Sequence, residues 1–362
     1  MTISPRVKPF VVNGLLALAT TGLTLVALEL LLWLTPYRSK IPLLAEPRNY
    51  WVNNQETGYD IGENVPTDSH HFFDAEADVW SNELGCFDTP YTTSEPTIYL
   101  TGDSFTWGFG DFADKWGTVI QNTTGMRVLK CGVGGFGTKQ ELIKTTNHLE
   151  TLSPKPSVLI VGYLGANDVE DDALFPNYTV DQGYRVRDTR LAQDESVTYA
   201  IKRWFTIHSA LYNLVKNTAR PLIVALLPDS WLNRSGIAPP TKPSIDTESE
   251  TAYAEHLQNV LGFKTLAEKQ GSKLLFVLIP SRNELRETQN ATNNERLKPF
   301  LAANNIPYLD LFAPLQEAER AGRKLYWDVD GHWNNEGNRF VGALVSEHLL
   351  REKFLPEGAP VH

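Results

Sequence analysis

The sequence predicts a three-layer α/β sandwich with a parallel sheet, preceded by one transmembrane helix. Three observations support this fold class. An uncharged stretch runs from Pro9 to Leu28 near the N-terminus. Downstream, short apolar runs bounded by turn residues alternate with longer helical patterns, which favours a doubly wound sheet. Glycine, serine and asparagine recur directly after those runs, where open α/β sheets carry their functional groups.

The N-terminal apolar stretch has the length and the flanks of a membrane span. It continues past Glu29 to Leu34, and about 20 apolar residues cross a bilayer as a helix. Because it extends well beyond any signal-peptidase-like site, we expect an uncleaved signal-anchor over residues 9–35, behind a tail of residues 1–8. A buried core helix is the other interpretation. Flanking basic residues are nearly balanced, but the basic start favours a single-pass protein with its domain in the periplasm or elsewhere outside the cytoplasm.

A second region, residues 36–95, is predicted as a stalk and irregular lead-in, since Pro, Asn, Asp, Ser and Gly are frequent there. The main domain follows over residues 96–355. Its predicted strands are Thr97–Leu100, Arg127–Lys130, Val158–Val161, Lys273–Ile279 and Ile306–Leu309. Its predicted helices are Thr138–Leu149, with Thr138 and Glu141 as a capping box, Thr251–Gln270 and Asn334–Lys353.

One proline-rich segment, from about residue 173 to 243, interrupts the alternation of strands and helices. It contains a helical pattern near Tyr199 to Val215. We expect an insertion or a lid over the sheet.

Composition and charge limit the classes of partner. Of the 362 residues, 42% are hydrophobic, so the chain can bury a large core. The net charge of -10, without a long basic run, argues against a nucleic-acid partner. The two cysteines, Cys86 and Cys131, form no Cys-x-x-Cys motif. Both a disulfide and two buried free thiols remain open for this pair.

The strongest candidate for a nucleophile follows the first predicted strand, in Gly102-Asp103-Ser104-Phe105. A serine at a strand-to-helix turn projects its hydroxyl from the sheet edge, and the backbone N–H groups of the turn can face a developing oxyanion. Asp and Ser also cap helices well, so helix capping is the structural alternative.

Two further loops offer hydrogen-bond donors at the same edge. Gly135 lies in the glycine-rich Cys131–Gly137 loop after the second strand, where a backbone N–H is accessible. Asn167 follows the third strand in Gly165-Ala166-Asn167-Asp168, and its amide is a neutral donor. A dinucleotide-binding loop fits the glycines loosely, and ordinary turns would use the same residues.

A base is available near the C-terminus, in the sequence Trp327-Asp328-Val329-Asp330-Gly331-His332-Trp333. A serine hydroxyl needs a base to become nucleophilic, and histidine titrates in the required range. A carboxylate would orient the ring, and Asp330 and Asp328 are both candidates. Since no second histidine stands at metal-ligand spacing, we expect neither a metal nor an organic cofactor.

Together these four blocks resemble the SGNH hydrolases, also called GDSL esterases and lipases, over about Thr97 to Leu350. The resemblance implies a flavodoxin-like fold, with Ser104 as nucleophile and His332 as catalytic histidine. It also implies an oxyanion hole formed by the N–H groups of Ser104 and Gly135 and by the Asn167 side chain. The family usually has Asp three residues before His, but Val329 stands there. The Asp-x-His-Trp form resembles the variant of polysaccharide O-acetyltransferases and favours Asp330 as the acid.

The predicted function is hydrolysis of an acyl ester, such as an O-acetyl group on a glycan or a lipid ester, through an acyl-serine. Two alternatives remain. One is an O-acyltransferase that modifies a polysaccharide together with a membrane acyltransferase partner. The other is a non-catalytic glycan-binding scaffold. Trp107 and Trp333 flank the site in sequence and could line the substrate, or they could be core residues.

Overall fold

All five predicted strands form one parallel sheet in the structure, a computed structural model. The structure describes residues 8–34, 47–72, 75–91, 97–181, 183–187, 197, 201, 204–205, 208–216, 218, 250–286, 292–328 and 330–356. The strands are β1 (Trp51–Asn54), β2 (Gly58–Ile61), β3 (Asp68–Phe72), β4 (Ala75–Val79), β5 (Ile98–Gly102), β6 (Val128–Lys130), β7 (Val158–Leu164), β8 (Tyr178–Asp181), β9 (Tyr184–Arg187), β10 (Lys273–Ile279) and β11 (Tyr308–Asp310).

Helices cover the sheet and precede it. They are α1 (Lys8–Leu34), α2 (Ser104–Trp107), α3 (Trp116–Thr124), α4 (Thr138–Thr151), α5 (Asp168–Ala173), α6 (Glu250–Gln270), α7 (Arg282–Arg286), α8 (Thr292–Ala303), α9 (Phe312–Arg320) and α10 (Asn335–Arg351). The predicted helix starts are close to those observed, but the predicted capping box is wrong. The Gly137 N–H donates to the side chain of Gln140, and Glu141 is buried instead.

The strand order of the central sheet is β11-β10-β7-β5-β6, with every pair parallel. When the five strands are renumbered 1 to 5 along the chain and the sheet is read from β6 to β11, the order is 2-1-3-4-5, which is flavodoxin-like. In such sheets ligands bind beyond the carboxyl ends of the strands on either side of the point where the order reverses. That point lies between β5 and β7, so the turns carrying Ser104 and Asn167 are neighbours at the switch point.

Two apolar layers sandwich the sheet, because successive strand residues face opposite sides. Ile98 and Leu100 pack on one side with residues of α3, α9 and α10. Tyr99, between them in sequence, packs on the other side with residues of α4, α6 and α8. The predicted three-layer sandwich is therefore confirmed.

Two antiparallel hairpins, β1-β2 and β3-β4, lie within the predicted lead-in of residues 36–95. Tyr50, Trp51 and Tyr59 are fully or almost fully buried in an aromatic cluster that also contains Phe136. Cys86 is joined to Cys131 by a disulfide, which links the end of the lead-in to the end of β6. From residue 47 onward, then, the described lead-in packs on the main domain.

The chain divides into two compact units. One contains Pro47–Gln193 and Lys242–His362, and the other contains Met1–Glu46 and Asp194–Thr241. In the second unit, Val12–Leu34 is long and apolar enough to cross a membrane, with a mean hydropathy of 2.1. Residues 1–7 of the predicted tail and 36–46 of the predicted stalk lie outside the described part of the chain. So do residues 182, 188–196, 198–200, 202–203, 206–207, 217 and 219–243 of the predicted insertion, which include part of the helical pattern near Tyr199 to Val215.

Candidate active site at the carboxyl edge of the sheet

A tight turn after β5 presents Ser104. The buried Asp103 side chain accepts a hydrogen bond from the Phe105 N–H at 2.9 Å and caps the single turn of α2. Gly102 adopts a φ of 150°, and a Cβ there would lie 2.1 Å from Thr106 Oγ1 and 2.7 Å from the Gly162 carbonyl. Only glycine therefore allows this turn to pack against β7, and the turn leaves Ser104 partly exposed.

Ser104, His332 and Asp330 form one line of hydrogen bonds. The Ser104 Oγ lies 2.8 Å from His332 Nε2, and His332 Nδ1 lies 2.7 Å from Asp330 Oδ1. The same Asp330 oxygen accepts the His332 backbone N–H at 3.1 Å. The side chain of Asp330 is fully buried, whereas that of His332 is 21% exposed. A histidine held on one side by a carboxylate can receive a proton from the serine on the other.

Asp328, the other predicted candidate for the acid, lies elsewhere. Its side chain is 70% exposed, and its oxygens lie 3.8 Å from Arg282 and 3.9 Å from Lys324. The structure thus brings Asp330, and not Asp328, to the imidazole.

The loop that carries His332 is held at several points. The Trp327 N–H donates to the His332 carbonyl at 2.9 Å, and Tyr326 forms a bridge with Trp333. Arg282, at the start of α7, donates to the carbonyls of Trp327 and Asp328, both at 2.8 Å. The position of His332 is therefore fixed by contacts within its own loop and by Arg282 of α7, the helix that follows β10.

An aromatic ring missed at the sequence level, Phe109, covers the imidazole. It stacks on His332 with centroids 4.1 Å apart and an interplanar angle of 26°. The Trp327 indole N–H donates to the Phe109 carbonyl at 3.0 Å, which ties the stacked ring to the histidine loop. Phe109 is partly exposed, so it lies at the mouth of the site.

Asn167 is held by a carboxylate. Its Nδ2 donates to Asp171 Oδ2 at 2.9 Å, one helical turn further along the chain. The Asn167 side chain is also hydrogen-bonded to the carboxyl group of Asp103, next to Ser104. Asp171 also accepts from Asn177 Nδ2 at 3.2 Å, and the same Asn177 amide donates to the Gly135 carbonyl at 2.8 Å. A single carboxylate therefore connects two of the predicted oxyanion donors.

The peptide between Gly134 and Gly135 lies beside the serine. The Gly134 carbonyl accepts hydrogen bonds from the Tyr59 hydroxyl at 2.9 Å and from the guanidinium of Arg185. In a trans peptide the N–H points opposite to the carbonyl, so the Gly135 N–H faces away from Tyr59 and Arg185. A Cβ built on Gly134 would lie 3.9 Å from the Cβ of Ser104, which places this peptide next to the hydroxyl.

Gly135 itself requires the absence of a side chain. Its φ is 82°, in the left-handed region, and a Cβ would lie 2.9 Å from the Tyr59 hydroxyl.

The two predicted substrate-lining tryptophans are buried. Trp107 is 3% exposed and donates from Nε1 to the Tyr50 hydroxyl at 2.9 Å. Trp333 is 1% exposed and packs edge-on against Phe105. These contacts belong to the core rather than to a surface open to substrate, because stacking on a ligand requires an accessible ring face.

Arg185 and Asn177 were also missed by sequence reasoning. They lie on or beside the β8-β9 hairpin, within the predicted insertion. Arg185 stacks over Trp51, with its guanidinium carbon 4.3 Å from the ring centroid. No spacing rule connects these residues to the glycine loop, since their contacts with it span 42 and 51 positions.

The sheet order and the position of the site place this chain in the class of flavodoxin-like α/β proteins that work at the switch point of the sheet. Within that class, the chain belongs to the GDSL-like lipase/acylhydrolase family, whose model matches residues 100–340. The resemblance drawn from the sequence is therefore confirmed, and the matched range includes both Ser104 and His332.

A curated relative gives a more specific similarity. The chain is 29% identical over 174 residues to a protein of Pseudomonas syringae pv. tomato named "Probable alginate O-acetylase AlgJ". The alignment covers 45% of this chain and 42% of that protein, so the chain spans less than half the length of this relative.

Solved structures are also similar to this chain. The lipase/acylhydrolase from Enterococcus faecalis is 16% identical, with a TM-score of 0.38, over 73% of this chain and 100% of that one. A G-D-S-L lipolytic protein from Veillonella parvula is 17% identical, with a TM-score of 0.39, over 71% of this chain and 100% of that one.

Proposed function

We propose that this protein is a serine esterase that hydrolyses an acyl ester through a Ser-His-Asp mechanism. The observation that carries the proposal is the hydrogen-bonded line from Asp330 through His332 to Ser104. His332 takes the proton of the Ser104 hydroxyl as the oxygen attacks the ester carbonyl. The N–H groups of Ser104 and Gly135 and the Asn167 amide stabilise the oxyanion.

His332 then gives its proton to the leaving alcohol, and an acyl-serine remains. In hydrolysis a water molecule attacks this ester, with His332 again as the base, and the carboxylic acid is released. Asp330 orients the ring and stabilises the imidazolium.

The test uses the full-length protein in detergent. We expect it to react with a fluorophosphonate probe and to hydrolyse p-nitrophenyl acetate, and we expect Ser104→Ala to lose both activities. Ser157→Ala, at a hydroxyl bonded to the Thr97 carbonyl before the sheet, serves as the matched control and should retain both. Esterase activity that survives in purified Ser104→Ala would refute the assignment, and a wild type inert to both reagents would favour the scaffold alternative.

A second candidate function is acetyl transfer to a polysaccharide. It is favoured by the similarity to the probable alginate O-acetylase. In this version a glycan hydroxyl, rather than water, attacks the acyl-serine. Incubating the protein with p-nitrophenyl acetate and a soluble polysaccharide separates the two, because a transferase forms acetylated glycan, whereas a hydrolase forms acetate alone.

We further propose that the domain lies outside the cytoplasm, held by α1. Disulfides persist in oxidising compartments, and Cys86 is bonded to Cys131. The curated relative, as an alginate-modifying protein by name, is consistent with an envelope location. Protease added to cells with a permeabilised outer layer should digest the domain. A domain protected until the inner membrane is lysed would place it in the cytoplasm.

A further inference from the structure

Glu29 is the one acidic residue of α1, and it binds a segment far away in sequence. Its carboxylate accepts hydrogen bonds from the Ser209 hydroxyl at 2.8 Å, the Ala210 N–H at 2.7 Å and the Leu211 N–H at 3.0 Å. The Trp33 indole adds a bond at 2.7 Å from within the helix. The beginning of the helical segment 210–216 is thereby fixed to a defined height on α1.

The position of Glu29 along α1 is close to one end of the apolar span. Glu29 precedes Leu34, the end of the span Val12–Leu34, by five residues. At 1.5 Å per residue the carboxylate lies about 7 to 8 Å from the end of the helix. With α1 in a bilayer, residues 209–211 are therefore at the boundary between acyl chains and headgroups.

The residues just before this attachment expose a stripe of large apolar side chains. Val197 is 75% exposed, Ile201 51%, Trp204 56% and Phe205 41%, and each of these positions is helical. At 100° per residue, these four positions fall within an arc of about 100°. Their spacing is that of one face of a helix. Trp204 and Phe205 contact His208 and Tyr212 of the same segment, but none of the four residues belongs to a buried apolar cluster of the described residues. We call this face the 197–205 stripe.

We propose that the 197–205 stripe is a second membrane contact, which lies in the interface on the same side of the bilayer as Leu34 and is positioned by Glu29. The inference rests on the proposed membrane anchoring by α1. Apolar faces rimmed by cations bind in the plane of the interface, and the sequence places Lys202 and Arg203 directly before Trp204. Tryptophan is itself enriched at this depth. The inserted segment then binds lipid.

Spin labels on the full chain in phosphatidylcholine vesicles test this directly. Because both native cysteines are in a disulfide, a nitroxide reacts only with an introduced thiol. Ile201→Cys and Phe205→Cys place it on the stripe, and Lys324→Cys gives an aqueous reference. We expect the ratio of collisions with oxygen to collisions with a water-soluble nickel chelate to be several-fold higher at residues 201 and 205 than at residue 324.

A spin label at Leu23→Cys, in the middle of α1, distinguishes failure of the stripe to bind the membrane from failure of α1 to span it. If Leu23 is in lipid while residues 201 and 205 match the aqueous reference, the stripe does not bind the membrane and the inference is overturned, although anchoring stands. If Leu23 is itself aqueous, anchoring by α1 is wrong and the inference fails with it.

Two substitutions of Glu29 test whether this residue positions the stripe. Glu29→Leu removes every acceptor and should increase the mobility of a label at residue 205, whereas Glu29→Gln keeps a carbonyl acceptor and should increase it less. Unchanged mobility in Glu29→Leu would overturn the positioning by Glu29.

Discussion

Asp330 and Asp328 lie two residues apart, yet their environments are opposite. The Asp330 side chain is buried and bonded to the imidazole, whereas Asp328 is largely exposed. We therefore expect Asp330→Asn to lower kcat by up to about 10,000-fold, the loss typical of a serine triad without its orienting carboxylate. Asp328→Asn, the matched control, should change kcat little. Steady-state hydrolysis of p-nitrophenyl acetate measures both, and a larger loss in Asp328→Asn would contradict the geometry.

Asp171 predicts a second effect at the residue scale, because it holds both Asn167 and Asn177. Asp171→Asn loses one of the two acceptor oxygens and should lower kcat with little change in KM. The loss should be smaller than the ~100- to 1000-fold typical of deleting an oxyanion donor.

Asp172→Asn is the control, because Asp172 bonds instead to His256 and Asn259. It should lower thermal stability without the same loss of kcat per folded molecule. Equal losses of stability and of kcat in both variants would mean that Asp171 has only a structural role.

At the scale of elements, the start of α10 packs on the segment that precedes the histidine loop. A Cβ on Gly337 would lie 2.0 Å from the Leu325 carbonyl, a backbone atom that cannot rotate away. Gly337→Ala should therefore push α10 from this segment, destabilise the protein by about 1 to 3 kcal/mol and lower kcat. Thermal unfolding and esterase assays measure the two effects.

Gly322→Ala controls for backbone strain alone, because Gly322 has a φ of 85° but open space around it. It should lose some stability and keep its activity per folded molecule. A Gly337→Ala protein as active and stable as the wild type would show that α10 does not constrain the loop.

Elements differ in how far the sequence predicts them. Four of the five strands of the sheet are buried almost throughout and the edge strand β11 is partly buried, so their apolar residues are continuous and easily recognised. The hairpins β1-β2 and β3-β4 are short and mix polar with apolar residues, for example Asp68-Ser69-His70, so neither alternation nor propensity reveals them.

The residues of the candidate site also differ in how far the sequence predicts them. Ser104, Asn167 and His332 directly follow strands or precede a helix, which makes them recognisable from order alone. Arg185 and Asn177 reach the glycine loop only through tertiary folding, and no local pattern encodes such a contact.

For the molecule as a whole, stability should depend on pH through Glu141. Burial, together with the carboxyls of Asp103, Asp172 and Asp171, raises the pKa of Glu141 well above its ordinary value of 4.5. Neither Glu141 oxygen has a hydrogen-bond partner among the described residues. The folded state thus favours the protonated form, so the stabilisation is fully present below the unfolded pKa and declines as the pH rises toward the folded pKa.

We expect Glu141→Gln to match the wild type near pH 4 and to become relatively more stable as the pH rises, by at most about 1.4 kcal/mol per pH unit. Chemical unfolding across that range measures the difference. Glu347→Gln, at the exposed surface of α10, should show no such trend. A Glu141→Gln curve parallel to that of the wild type would mean that Glu141 is charged in the folded protein.

The distance along the chain between Ser104 and His332 has a consequence for how the protein is made. Ser104 and His332 are hydrogen-bonded although 228 positions separate them. At a ribosomal rate of about 5 to 20 residues per second, the serine leaves the ribosome roughly 10 to 45 s before the histidine. For most of its synthesis the nascent chain therefore has Ser104 without its hydrogen-bond partner His332, and a product truncated before residue 332 lacks the whole line from Ser104 to Asp330. Under the proposed mechanism, such a product cannot form an acyl-enzyme.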